Sequence, residues 1–199
     1  MSAHLTSRVR RLGGQRGTSL VEFAMCMPFL LLVVFGVIET SYALLDQHIV
    51  TKMSREGSNL ISRSASLTDA ANVLKSMSSR PLNFDNGTSI MIFSVIKNPS
   101  SASASNYGYP VLYARYTYGT LAKSSVLQTL GSPSYAAPDY ENASADSDPN
   151  FRITNLPAGL TVPGSFLYVT EIWTKHDLIT PFDRFGPTVP NTLYGIAYF

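Results

Sequence analysis

An uncharged apolar run near the N-terminus constrains this chain more than any other feature. Residues 23–38 lie between Glu22 and Glu39 and contain no charged side chain. As a helix the run spans about 24 Å, and apolar or small flanking residues extend it to the roughly 30 Å of a bilayer's hydrocarbon core. A core helix of a soluble protein would carry a polar face, which this run lacks. The sequence therefore predicts a membrane-inserted helix over residues 18–45.

Basic residues are concentrated before this run. Four of the fifteen Lys and Arg residues precede residue 18, where no acidic residue occurs: Arg8, Arg10, Arg11 and Arg16. Without these four residues the chain has 11 basic and 13 acidic residues, so its formal net charge changes from +2 to −2. The rest of the chain thus has no excess positive charge for binding nucleic acid. Cations before a first membrane segment favour a cytoplasmic N-terminus and an extracytoplasmic C-terminal body.

Three fates of the N-terminal segment fit the sequence. It can remain as an uncleaved signal anchor. It can be removed as a secretory signal peptide after the small-x-small sequence Ser41-Tyr42-Ala43, although Glu22 intrudes where the apolar region begins. In the third case cleavage occurs before the apolar run, as in a prepilin, and the run is retained.

The residues around Gly17 carry a family resemblance. Gly17 follows an arginine and is followed by Thr-Ser-Leu-Val-Glu-Phe-Ala at residues 18–24, and then by the aliphatic run. This pattern resembles the processing site of the TadE/TadF-like minor pseudopilins of Tad (tight adherence, type IVc) pilus systems. The resemblance implies that a prepilin peptidase cuts between Gly17 and Thr18. Glu22 then becomes the fifth residue of the mature chain, and the aromatic Phe23 follows it.

Two later segments extend the resemblance. Ser54-Arg55-Glu56-Gly57-Ser58 is similar to the segment that follows the membrane helix in this family, and Thr192-Leu193-Tyr194 to its C-terminal strand. The resemblance implies a pilin-like fold and a role in pilus assembly, initiation or adhesion. The implied partners are the prepilin peptidase, other pilins and pseudopilins, and the inner-membrane Tad assembly machinery. A single-pass or secreted envelope protein that binds a surface ligand, without entering a pilus, is the alternative.

Glu22 is the main candidate assembly residue. A carboxylate within a membrane span costs at least about 2.5 kcal/mol near the centre and less at the border, so it requires a reason. Cleavage after Gly17 creates an α-amine on Thr18, one helical turn before Glu22. The resemblance implies that the carboxylate and amine pair between subunits. Pairing within one chain, or a simple preference for acids at a helix N-terminus, are the alternatives.

The remaining chain predicts an α+β fold. The first helix continues to about residue 64, and an apolar stripe should pack on a sheet: Ile38, Tyr42, Leu45, Ile49, Met53 and Leu60. A second short helix begins at Thr68, a plausible N-cap, and ends before Pro81. Strands are expected at residues 89–97, 111–118, 166–176 and 192–199. The simplest arrangement is an antiparallel meander covered on one face by the helix.

These patterns divide the chain into four parts. We expect a basic prepilin leader (1–17), a transmembrane helix (18–45), a helical stalk with a second short helix (46–80), and an extracytoplasmic β domain (81–199) with long loops at 98–110 and 131–165. The second loop is long and irregular, which is typical of functional or mobile segments.

The sequence carries few signs of catalysis. His4, His48 and His176 lack the spacing of a metal motif, and the chain has no nucleophile elbow, phosphate loop or dinucleotide fingerprint. His176-Asp177 is interpreted as a polar strand end rather than a dyad. The sequence therefore predicts a protein that is not an enzyme and has no cofactor or metal. A group of tyrosines indicates either an adhesive surface or the rim of the core: Tyr107, Tyr109, Tyr113, Tyr116, Tyr118, Tyr135 and Tyr140.

Overall fold

The computed structural model describes residues 15–179 and 191–199. In chain order the elements are α1 (Gln15–Ser62), α2 (Leu67–Met77), β1 (Ser89–Lys97), β2 (Val111–Gly119), two 3-10 turns (Ala143–Asp146 and Pro149–Phe151), β3 (Phe166–Lys175) and β4 (Thr192–Tyr198). The chain divides into two compact units, Met1–Tyr42 and Ala43–Phe199, and the boundary falls within α1. The predicted α+β class is confirmed.

The first unit, where it is described, consists of the N-terminal part of α1. Its apolar side chains are exposed almost throughout, and Pro28 lies within the helix without ending it. In the described part of the chain this is the one helix long and apolar enough to cross a membrane. Exposed apolar surface on this scale is typical of membrane or protein contact, so the segment points to membrane anchoring.

The sheet of the second unit has the strand order β2-β1-β3-β4, and each adjacent pair is antiparallel. The expected meander is therefore wrong, because β1 lies between β2 and β3. The physical reason is that β1 is apolar on both faces and buried over eight of its nine residues, as suits an interior strand. The long connection of residues 120–165 lets the chain cross from β2 to the far side of β1.

The second half of α1 packs on one face of the sheet, as predicted, and α2 packs on the same face. Their shared core joins residues of both helices to β1, β2 and β3: Val50, Met53, Ile61, Leu67, Ala70, Ala71, Leu74, Met91, Phe93, Val95, Ala114 and Ile172. The predicted stripe of α1 is only partly correct. Tyr42 and Leu45 are exposed, whereas the small residues Ser54 and Ser58 are buried. Small side chains form the contact face because they let the helix approach the sheet closely.

Two glycines make this close approach possible. A Cβ atom on Gly57 of α1 would lie 2.7 Å from Cγ2 of Thr170 in β3. A Cβ atom on Gly195 of β4 would lie 2.8 Å from Cγ1 of Val50. Ser58 adds a buried hydrogen bond, donating its hydroxyl to the carbonyl of Ala197 at 2.9 Å. At both glycines the backbone of one element therefore lies directly against side chains of the other.

The N-cap of α2 differs from the prediction. Ser66, rather than Thr68, precedes the helix and accepts a hydrogen bond from the backbone N–H of Asp69 at 3.1 Å. Thr68 lies inside the first turn. Serine and threonine are both favourable N-cap residues. Ser66 is the cap because its backbone is extended, as an N-cap residue requires.

Residues 120–165 cover the opposite face of the sheet. Their apolar side chains join two clusters with residues of the strands: Ile96, Leu112, Leu127, Ile153, Leu167 and Val169 in one, and Ile90, Ile92 and Leu121 in the other. Backbone hydrogen bonds also fix the segment to β2, including Arg115 N–H to the carbonyl of Tyr140 at 3.1 Å. The segment 131–165, predicted as an irregular loop, is thus part of a layer that covers this face. We call residues 120–165 the cover.

Candidate assembly site

The predicted cleavage site lies at the beginning of α1. Gly17 and Thr18 belong to the helix, and both are exposed. A Cβ atom on Gly17 would meet no heavy atom within 4 Å, so the described structure leaves space around this peptide bond. Of the leader arginines, Arg16 contributes its backbone to α1. The predicted positions Arg8, Arg10 and Arg11 lie outside the described residues.

Glu22 and Phe23 lie in the next turn of the same helix. Glu22 is exposed and follows Thr18 by four residues, so the two share one face of α1. Phe23 is 62% exposed, and most of the apolar residues that follow it are similarly uncovered. The helix therefore presents a single carboxylate at the start of a bare apolar surface. This arrangement suits lateral packing against another apolar helix.

The acids beyond the apolar run are buried. Glu39 and Asp46 are only 6% and 5% exposed. Asp46 Oδ2 lies 2.7 Å from Nδ1 of His176, and both side chains are almost fully enclosed. Asp46 is therefore part of the folded second unit. His176 pairs with this distant acid, a contact that no local sequence signal indicates because the two residues are 130 positions apart.

A buried polar cluster fixes the cover to the sheet. Glu171, fully buried on β3, accepts hydrogen bonds from Ser125 Oγ, from the Val126 N–H at 2.8 Å and from Tyr194 Oη at 3.1 Å. Arg115 of β2 donates from Nη2 to the same Ser125 hydroxyl at 3.1 Å. Ser125 thus bridges a half-buried guanidinium and a buried carboxylate, and we call Arg115, Ser125 and Glu171 the Ser125 bridge.

Burial alters the acid–base behaviour of this cluster. Desolvation lowers the pKa of Arg115, since the charged guanidinium loses its water. Desolvation, and next the charge of Glu171, raise the pKa of Tyr194 above its ordinary range. Tyr194 therefore remains a hydrogen-bond donor to Glu171 at any physiological pH. The cluster has the properties of a structural tether, and its sequence signal was a lone Glu in an otherwise apolar strand.

Within the described residues, no group of three or more His, Cys, Asp or Glu side chains is placed to hold a metal ion. Cys26, the one cysteine of the sequence, is exposed on the apolar part of α1. The described geometry thus directs attention to the helix surface as the candidate site.

Comparison with known proteins gives one match, to part of the chain. Residues 17–59 match the family model described as TadE-like protein. No curated protein and no solved structure matches the chain. The matched segment begins at Gly17, contains Glu22 and Phe23, and runs past Gly57. The match suggests a Tad pilus-associated protein, because the TadE-like family is structural and pilus-related. Over residues 17–59, from the predicted cleavage site to the sheet-packing part of α1, this chain is similar to TadE-like proteins.

Proposed function

We propose that the protein is a minor pseudopilin of a Tad (type IVc) pilus. A prepilin peptidase removes residues 1–17, and the retained helix carries the chain into pilus assembly, initiation or tip adhesion. The observation that supports this most directly is the TadE-like match, which begins at Gly17 and covers a helix with exposed apolar side chains. In this role the protein is the substrate of an enzyme and is not itself an enzyme.

The proposed orientation follows from charge and apolar surface. The leader arginines remain in the cytoplasm, residues 18–45 cross the inner membrane, and the folded β domain is extracytoplasmic. During assembly the apolar surface of α1 exchanges lipid contacts for contacts with the helices of other pilins. Van der Waals packing between closely fitting helices provides the attraction, since lipid and helix surfaces are similarly apolar. The inner-membrane Tad machinery supplies the partners and the driving force.

Glu22 gives this packing its register in the proposal. The α-amine of Thr18, created by cleavage, is a cation beside an apolar surface, and Glu22 is an anion there. Each is costly to bury alone, and a pair between neighbouring subunits removes both costs. Since one axial offset brings the two charges together, the pair selects that offset over others.

Cleavage and pilus entry are tested together with glycine variants of the leader. The full chain is expressed with the prepilin peptidase and the other pilus components, and sheared filaments and membranes are analysed by immunoblot. Gly17→Val should keep the leader and be absent from filaments. Gly14→Val, in the same leader, should behave like the native chain.

Other outcomes would reject the proposal. A chain shortened without the peptidase, at a site near residue 43, indicates a secreted envelope protein. An uncut chain that never enters filaments, even with the peptidase present, indicates a signal-anchored envelope protein. Both results would replace the pseudopilin role with that of a surface-binding protein.

A further inference from the structure

An acidic groove with an aromatic wall opens near the C-terminal end of α1. The groove has a volume of about 440 Å³ and is lined by Tyr113, Phe166 and Tyr168, with the carboxylates of Asp139 and Glu141 beside them. The Tyr113 and Phe166 rings meet edge to face at 6.2 Å, and Phe166 is 46% exposed. Exposed aromatic faces beside carboxylates are a suitable surface for a cationic side chain.

The charge of the groove is negative. Tyr113 Oη donates a hydrogen bond to Glu141 Oε2 at 2.6 Å, which raises the pKa of Tyr113 to about 12 and keeps its hydroxyl protonated. The nearby Lys97 lies over the Tyr113 ring, but its charge is paired with Asp146 at 2.6 Å. No base in the described ranges forms an ion pair with Asp139 or Glu141. Two carboxylates therefore remain to attract a cation.

A complementary basic surface lies on α1 of the same unit. Lys52 and Arg55 are exposed, and the exposed His48 precedes Lys52 by one turn on the same face. This face is opposite the one that packs on the sheet through Gly57. Within the part of the chain that is described, neither Lys52 nor Arg55 forms an ion pair. The neighbouring Glu56 is half-buried and offsets only part of their charge.

Basic side chains of the same unit already lie over aromatic rings. The guanidinium of Arg152 lies 4.1 Å from the centroid of the Tyr109 ring, and Lys123 Nζ lies 5.3 Å from that of Trp173. Such contacts contribute roughly 0.5–1 kcal/mol at exposed sites and more when water is excluded. An arginine or lysine from outside would find both a ring face and a carboxylate in the groove.

We propose that the acidic groove of one copy receives Lys52 and Arg55 from α1 of a second copy. The inference rests on the proposed function, since assembly in a pilus brings copies or related subunits side by side. Ile61 and Ser64, which line the groove, follow Lys52 and Arg55 by about ten residues. The groove and the basic surface are therefore about 15 Å apart along the axis of α1. A contact between different surfaces at different heights does not close on itself but continues from subunit to subunit.

Charge reversal with mixing tests this contact. The full chain is purified in detergent micelles, and self-association is measured by analytical ultracentrifugation. Lys52→Glu/Arg55→Glu and Asp139→Lys/Glu141→Lys should each raise the Kd of self-association at least about tenfold. Mixing the two variants should restore association, because each then offers the charge that the other lacks. Arg80→Glu/Lys175→Glu, which reverses two exposed bases elsewhere, is the control and should associate like the native chain.

Restored association in the mixture shows that both variants are folded, and circular dichroism of each variant establishes this independently of association. Failure of the mixture to associate, or equal Kd values for the native chain and both reversals, would overturn the proposal. The measurement requires no peptidase. A chain that is cleaved after Gly17 but shows no charge-dependent association therefore overturns the contact alone. A chain that associates as expected but is never cleaved overturns the pseudopilin role instead.

Discussion

Glu22 is the residue on which the proposed assembly mechanism depends most. It is exposed on α1, four residues after Thr18, at the start of the apolar surface. If its carboxylate neutralises the Thr18 amine of a neighbour, Glu22→Gln should reduce the amount of chain in sheared filaments at least tenfold. Membrane insertion should be unchanged or improved, because a charge is removed from the border of the bilayer.

Glu22→Asp is the matched variant, since it keeps the charge and shortens the side chain. It should retain part of the incorporation, whereas Glu22→Gln retains almost none. Normal filament levels with Glu22→Gln would reject the pairing and leave Glu22 as an ordinary helix N-terminal acid.

Gly57 shows why a residue that weakens an isolated helix is suited to this one. Gly57→Ala should gain about 1 kcal/mol of helix propensity. It also forces a methyl group to within 2.7 Å of Thr170 Cγ2, and such overpacking costs about 1–3 kcal/mol. We expect a net loss of about 1 kcal/mol in the free energy of unfolding, measured by chemical denaturation of the full chain in detergent.

A second-site variant separates overpacking from other effects of Gly57→Ala. Thr170→Ala removes both atoms closest to the added methyl group. The double variant should therefore recover stability, with a coupling energy of about 1 kcal/mol. Additive losses from the two single variants would contradict the close-approach explanation.

Among the elements, the cover depends on the Ser125 bridge. Glu171→Gln keeps the shape of the side chain but removes the buried negative charge that the half-buried guanidinium of Arg115 reaches through Ser125. We expect a loss of about 2–4 kcal/mol in the free energy of unfolding. Hydrogen exchange at the Val126 amide, which donates to Glu171, should accelerate in parallel.

Glu141→Gln provides the comparison for this loss. Glu141 is exposed and also accepts a side-chain hydrogen bond, from Tyr113. Because an exposed charge is solvated in both states, this variant should lose no more than about 1 kcal/mol. Equal losses for Glu141→Gln and Glu171→Gln would show that the buried charge does not hold the cover.

The elements themselves were largely predictable, but their arrangement was not. Alternation and turn residues place all four strands to within one residue at each end; for example, β2 ends at Gly119 rather than Tyr118. The strand order is set by which strand is buried on both faces, and that depends on the distant cover. The contact face of α1 was misjudged because hydrophobicity ranks Leu45 above Ser54, whereas close packing favours the small side chain.

In the candidate site, too, contiguous features could be predicted from the sequence but contacts between distant residues could not. Gly17 and Glu22 could be proposed from the sequence because the predicted cleavage motif is contiguous, and their roles remain predictions. The pairs Asp46–His176 and Arg115–Glu171 could not be proposed in this way, because the fold brings together residues that lie far apart in sequence. Of the tyrosines, Tyr116 and Tyr140 pack against the core, as the rim alternative predicts, whereas Tyr107 and Tyr109 are exposed.

At the scale of the whole molecule, an apolar helical segment comes before a compact unit in the chain. The TadE-like match lies within α1 and ends before α2, so the sheet and its cover lie outside the matched segment. In the proposed pseudopilin the helix supplies entry into the filament. The domain supplies the surfaces that meet other subunits or an adhesion target.

The mature N-terminus tests the central claim most directly. It is measured by intact-mass and N-terminal peptide mass spectrometry of the membrane-purified chain, expressed together with the prepilin peptidase. The account predicts a chain that begins at Thr18 and retains the whole apolar helix. A chain that begins at Leu44, or one that keeps its leader in the presence of an active peptidase, would contradict it.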